Sequence, residues 1–239
     1  MSAVAALGVT FVLDRLVGEP PEAVHPVVWL GTVVDRFDRD WRHPAIVGTA
    51  VALIVPLGAA LAAGGAVAAA ELLDAFPGAV AGFVLFSAVS LRSLVETGTA
   101  VIRETITDPA RAAIDARSLV GRDTTKLGSG ALRSAAVESV AENLADGLVG
   151  PLAAFALGSV VSLPVAAGAA AWVKAANTLD SMLGYHSHPM GWASARLDDA
   201  VAWAPARLSA ALIAIAAARP GTVRTASRWA HAPASPNSG

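Results

Sequence analysis

The sequence predicts an all-α, multi-pass integral membrane protein: a single domain, residues 1–239, with about four or five membrane-embedded helices. Three observations carry that expectation. Of the 239 residues 55% are apolar and only 15% charged, with a mean hydropathy of +0.58, whereas soluble domains carry about 25% charged residues. Several apolar runs reach the roughly 20 residues that a spanning helix needs. All 17 Lys and Arg residues lie outside two long windows, residues 43–91 and 134–173.

Taken in order, residues 1–13 are apolar but short, which fits partial or re-entrant insertion as well as spanning. Residues 44–73 form one apolar run with length to spare, broken only by Glu71 near its end. A second run, 77–91, stops at Arg92. The third, 144–173, is too long for one upright span and carries Gly158 and Pro164 near its middle, so it reads as a hairpin of two helices. Residues 208–218 are again apolar and short. No internal repeat and no strand-like alternation is present.

With turns near residues 74–78 and 158–164, each basic-free window folds back on itself. The polar segments 14–42, 92–133 and 174–207 then emerge on one side, and the positive-inside rule makes that side cytoplasmic. A cell-membrane location follows, with the lipid bilayer as the first partner. The N-terminus lacks a basic n-region, and Asp14-Arg15 stand where a cleavage site belongs, so a cleaved leader is not expected. With no cysteine, disulfides and thiolate chemistry are excluded. A net charge of -2 argues against a nucleic-acid partner.

Candidate chemistry lies in the polar segments. The first reads DRLVGEPP from Asp14 and then HPVVWLG from His25, placing an acid, a cation and a histidine at a membrane boundary. The second holds Gly121-Arg122-Asp123-Thr124-Thr125-Lys126, cations and hydroxyls that can hold a phosphate without forming a P-loop. From spacing alone, Asp123 or Thr124 serves rather as the cap of the following helix.

That helix, from about residue 131, carries Glu138, Glu142 and Asp146 every fourth residue, with Asn143 beside them. Steps of four drift by only about 40°, so the acids share a face. With no basic residue until Lys174, they are costly at a bilayer edge unless they bind a cation, share a proton or face a polar cleft. A hard divalent ion such as Mg²⁺ brought with a nucleotide satisfies them. Lys174, Asn177, Thr178, Asp180 and Ser181 leave the third apolar run together. Snorkelling accounts for the lysine but not for the amide and the acid. Arg196 precedes Asp198-Asp199, a pair that can serve a metal or begin a helix.

Together these segments resemble the adenosylcobinamide-phosphate synthase family of cobalamin biosynthesis, through the ordered series DRLVGEPP, HPVVWLG, GRDT, VESVAENLADG, NTLDSMLGY, GWASARLDD and PAR, over residues 11–36 and 119–209. The apolar stretch between matches only in character. Val24 stands where the family usually has tryptophan, His186 where it has lysine, and Ala202 near a usual asparagine. The chain ends with an SPN motif past which family members continue, which implies a shortened C-terminus.

The resemblance implies ATP-dependent condensation of a propionate carboxylate of adenosylcobyric acid with an aminopropanol phosphate or related amino alcohol. Its cofactors are ATP and Mg²⁺, its partners the corrinoid and the amino-alcohol phosphate, with contacts to other enzymes of the pathway. Such chemistry needs carboxylate activation, offset of phosphoryl charge and a base for the amine. The residues that fit are Glu142, Asp146 and Asp198 or Asp199 as metal ligands; Arg122, Thr124, Lys126, Lys174, Asn177 and Arg196 as phosphate partners; and Asp180, His25 and Glu142 as catalytic groups. The rival readings are a transporter, since acids at membrane depth also mark ion pathways, and a non-catalytic membrane subunit that docks corrin-pathway enzymes.

Overall fold

The computed structural model describes residues 2–120, 124, 127–184 and 187–218. Among them there is no strand, and the chain forms ten α-helices: α1 Ser2–Leu16, α2 Pro26–Asp35, α3 Pro44–Leu72, α4 Pro77–Ala88, α5 Leu91–Thr107, α6 Pro109–Val120, α7 Ser129–Leu144, α8 Gly150–Ser159, α9 Leu163–Leu183 and α10 Trp192–Ala216. Proline occupies the first turn of α2, α3, α4, α8 and α9, where its missing N–H is one of the groups a helix leaves unpaired in any case.

Four helical stretches are long and apolar enough to cross a membrane: Pro44–Leu72, Pro77–Thr107, Ser129–Ser159 and Trp192–Ala216. Only 22% of the most apolar window of Pro44–Leu72 is buried inside the protein. Leu53, Ile54, Leu57 and Leu61 on α3 are all more than half exposed. A continuous apolar face of that length belongs against lipid.

Both expected hairpins form. The α3–α4 turn covers residues 73–76, where Asp74 and Phe76 adopt positive φ angles of 51° and 50°. The α8–α9 turn covers residues 160–162, and the Ser162 hydroxyl accepts from Val165 N–H at 3.3 Å to cap α9. Helix α9 is the hub, packed by α2, α3, α4, α8 and α10. The approach of α3 to α9 brings backbones together. A Cβ at Gly64 would lie 2.9 Å from the Pro164 carbonyl oxygen, and one at Gly168 the same distance from that of Ala60. Close approach at small residues gives helices in lipid the dispersion contacts that replace a hydrophobic driving force.

Two expectations are refined. Of the two readings left open for residues 208–218, the longer one holds: residues 208–216 complete α10, whose 25 residues are long enough to cross. Pro205 lies inside this helix. The Arg207 guanidinium lies 3.9 Å over the Trp203 ring and donates to the Trp203 carbonyl at 2.7 Å. The helix carrying the acids is also not regular, since Ala145–Val149 forms a π turn between α7 and α8. Helix α1, with 15 residues, packs on α4, and the Thr10 hydroxyl bonds the Gly82 carbonyl at 3.0 Å.

Outside the apolar bundle α5, α6 and α7 form a smaller core around Val101, Ala112, Ala116, Leu132 and Ala136. Another cluster, around Val34, Leu179, Leu183 and Met190, joins α2 to the C-terminal end of α9. These contacts gather the polar segments at one end of the bundle.

Candidate functional site

Lys174, one of two lysines in the chain, sits at the centre of that end. It leaves α9 half-buried, within electrostatic reach of Glu19, Asp146 and Asp198. The sequence left the acids without a cation. The fold supplies one, because α9 packs beside the π turn and α10.

Asp146 lies in the π turn. An α-helix would continue the spacing of Glu138 and Glu142, whereas the wider π turn rotates the next residues to a new direction and is a frequent feature of functional sites. Half-buried Asp146 faces Glu142, Lys174 and Asp180. Glu142 stands more exposed on α7, near Glu138, Asp180 and Asp198. The Asn143 amide donates back to the Ser139 carbonyl at 2.9 Å and the Ser139 hydroxyl at 3.3 Å, so its donors are engaged along the helix.

The two adjacent aspartates of α10 separate. Asp198 is half-buried, accepts a hydrogen bond from the Asn177 side chain and faces Asp146 and Lys174. Asp199 is exposed and pairs with Arg196 at 3.9 Å. Neither begins the helix, whose first residue is Trp192. Arg196 is thereby engaged on the outer face. Asp180 closes the α9 side of the site, and Gly184 fits beneath it because a Cβ there would lie 2.5 Å from the Asp180 carbonyl oxygen.

Thr124 departs from both expectations. It is fully buried and its hydroxyl donates to the Ala113 carbonyl, tying its loop to α6. The oxygen faces protein and has no open side for a phosphate. The cap of α7 is Gly128, with no side-chain bond. Arg122, Asp123, Lys126 and His186 lie outside the described residues.

His25 caps α2, its Nδ1 accepting from Val27 N–H at 3.3 Å. In the neutral ring the proton then resides on Nε2, which presents a donor. Burial lowers the imidazole pKa, opposed by nearby Glu19 and reinforced by Lys174. A histidine held neutral in the fold contributes stability above its ordinary pKa of about 6.5, lost as pH falls through the lower folded value. Unfolding temperatures measured between pH 7.5 and 5 should therefore fall more steeply for the native chain than for His25→Asn, which keeps the cap without the titration. Parallel curves would remove His25 from the pH response.

Glu19 is the residue that motif reading quoted without assigning. Its position in the GEPP turn, far from Lys174 in sequence, gave no local signal; the positive φ of Gly18, 89°, ends α1 and turns the chain toward α9. Among the described residues no three His, Asp or Glu side chains close on one point that would hold a metal ion. A Mg²⁺ carried in on a substrate phosphate would need only one or two of these carboxylates, the rest of its shell being water and phosphate.

A family model described as CobD/Cbib protein matches residues 7–239. The chain belongs to the CobD/CbiB family of cobalamin biosynthesis proteins. Among curated relatives, a probable cobalamin biosynthesis protein CobD of Methanothrix thermoacetophila is 36% identical over 253 residues, covering 98% of this chain and 78% of the relative. The cobalamin biosynthesis protein CobD of Rhodobacter capsulatus is 34% identical over 262 residues, covering 100% and 78%. The cobalamin biosynthesis protein CbiB of Salmonella arizonae is 37% identical over 223 residues, covering 87% and 67%. No solved structure matches.

Proposed function

We propose that this CobD/CbiB family member is an ATP-dependent amide-forming enzyme, joining a propionate carboxylate of adenosylcobyric acid to the amine of an aminopropanol phosphate or related amino alcohol. The observation that carries this reading is the convergence of Glu142, Asp146, Lys174, Asn177, Asp180 and Asp198 from three helical segments at one end of an apolar bundle.

A propionate carboxylate oxygen attacks the γ-phosphoryl group of ATP and releases ADP; the amine then attacks the acyl carbon and releases phosphate. Bound Mg²⁺ would neutralise part of the phosphoryl charge, with Asp146 and Asp198 its best-placed ligands and Glu142 at the rim. Lys174 holds the two inner acids together and lies ready for a phosphoryl oxygen. Asn177 orients Asp198. Asp180 is the better candidate for taking the proton of the attacking ammonium, because His25 offers a donor. The low-dielectric wall of the bundle strengthens each of these interactions.

Detergent-purified protein supplied with adenosylcobyric acid, ATP, Mg²⁺ and aminopropanol phosphate should release ADP in step with corrinoid amide. Absence of ATP turnover together with solute flux in proteoliposomes would favour a transporter.

The same reading puts the polar end in the cytoplasm, where ATP is. In this cysteine-free chain, Ala110→Cys and Ser187→Cys should react with an impermeant thiol reagent from the cytoplasmic side, and Ala75→Cys and Val161→Cys, in the hairpin turns, from the other. All four positions are exposed. Labelling of the first two from opposite sides would sink the topology.

A further inference from the structure

The break between α4 and α5 is docked on the π turn. Ser90, at φ -146° and ψ 46°, donates its N–H to the Gly147 carbonyl at 3.2 Å. Pro151, four residues after Gly147, has no N–H to give the Gly147 carbonyl, and here that carbonyl has found a donor in the break before α5. The approach is close: a Cβ at Gly147 would lie 3.1 Å from the Ser90 hydroxyl.

The same break is fixed from its other side. Arg92 N–H donates to Asp14 Oδ1 at 3.3 Å, and the Arg92 guanidinium donates to the carbonyls of Arg15 and Leu16 at 3.0 and 3.3 Å. The C-terminus of α1 and the N-terminus of α5 thus satisfy each other's unpaired groups. Asp14 is only 5% exposed, too enclosed to serve as a helix-end charge in water.

We infer that Asp14 and Ser90 are positioning residues: Asp14 seats the start of α5, Ser90 thereby holds the Gly147 carbonyl, and that bond fixes the π turn that directs Asp146 toward Lys174 and Asp198. The part of this that concerns turnover rests on the proposed amide-forming reaction. The link itself is a backbone contact and is tested without it.

Replacing the Ser90 peptide N–H by an ester oxygen, with the alanine analogue of the hydroxy acid, removes only the donor relative to Ser90→Ala. Ser90→Ala should keep kcat within about twofold. The ester should lower kcat about fivefold, the equivalent of one neutral hydrogen bond, with the KM for aminopropanol phosphate unchanged, and should speed hydrogen exchange over residues 143–150. Asp14→Ala should reproduce both effects, and Asp14→Asn, which keeps an acceptor, should restore them. An ester protein with native kcat and native exchange overturns the inference. So does a parallel loss of kcat, KM and thermal stability, the mark of a general structural role. If the native protein forms no amide, the proposed reaction falls. Exchange then decides the link alone: protection of residues 143–150 unchanged by the ester would refute it.

Discussion

Lys174→Met should be the most damaging single substitution in the chain, abolishing amide formation and lowering stability. Lys174 interacts most strongly with Glu19 and then with Asp146 and Asp198, so methionine keeps the stem's apolar contacts while leaving these acids to repel one another. Removing one partner from an enclosed charge group costs roughly 3 kcal/mol, enough to lower the unfolding temperature by several degrees. Charge balance also predicts a rescue of folding. In the double variant Lys174→Met/Asp198→Asn one repelling charge has gone, so its stability should exceed that of Lys174→Met alone, while turnover stays lost. The check is a thermal-unfolding cycle of the four proteins in detergent. Additive losses would mean that Lys174 and Asp198 are not coupled and that the lysine serves only the phosphate.

The hairpins were legible because membrane insertion writes itself into sequence as long windows without Lys or Arg, and the turns fall at residues 73–76 and 160–162 within or beside the expected ones. Helix α10 was less legible because residues 208–218 are too short an apolar run to span alone, and the rest of its length comes from the charged, motif-bearing turns that start at Trp192. At the site, residue types could be read from motifs but their partners could not. Four-residue spacing reports one helix face, whereas the approach of Lys174 to Asp146 depends on how α9 packs against the π turn. Thr124 shows the converse limit: a hydroxyl in a polar segment reads as available, and only the fold turns it inward to Ala113. Ser90 carries no motif at all, since its contribution is a backbone N–H that any residue except proline possesses.

The adjacent acids of α10 provide the sharpest separation of site from surface. Asp198→Asn should lower turnover about a hundredfold, because it removes a charge that faces Asp146 and Lys174 where phosphoryl charge would develop, an effect of about 3 kcal/mol on the barrier. Asp199→Asn should change it less than about twofold: its pairing with Arg196 at 3.9 Å is solvent-exposed, and exposed pairs contribute about 0–1 kcal/mol. Both substitutions are isosteric and sit next to each other on one helix, so expression, helix propensity and membrane insertion are matched. Asp198→Asn should also leave folding intact, since the Asn177 amide can still donate to the remaining carbonyl oxygen and one like charge beside Asp146 has gone. Initial rates of corrinoid amide formation, measured across Mg²⁺ concentrations for both variants, test the pair. Equal losses would show that the acids act through the net charge of the α10 surface, and a larger loss at Asp199 would turn the site outward, toward Arg196.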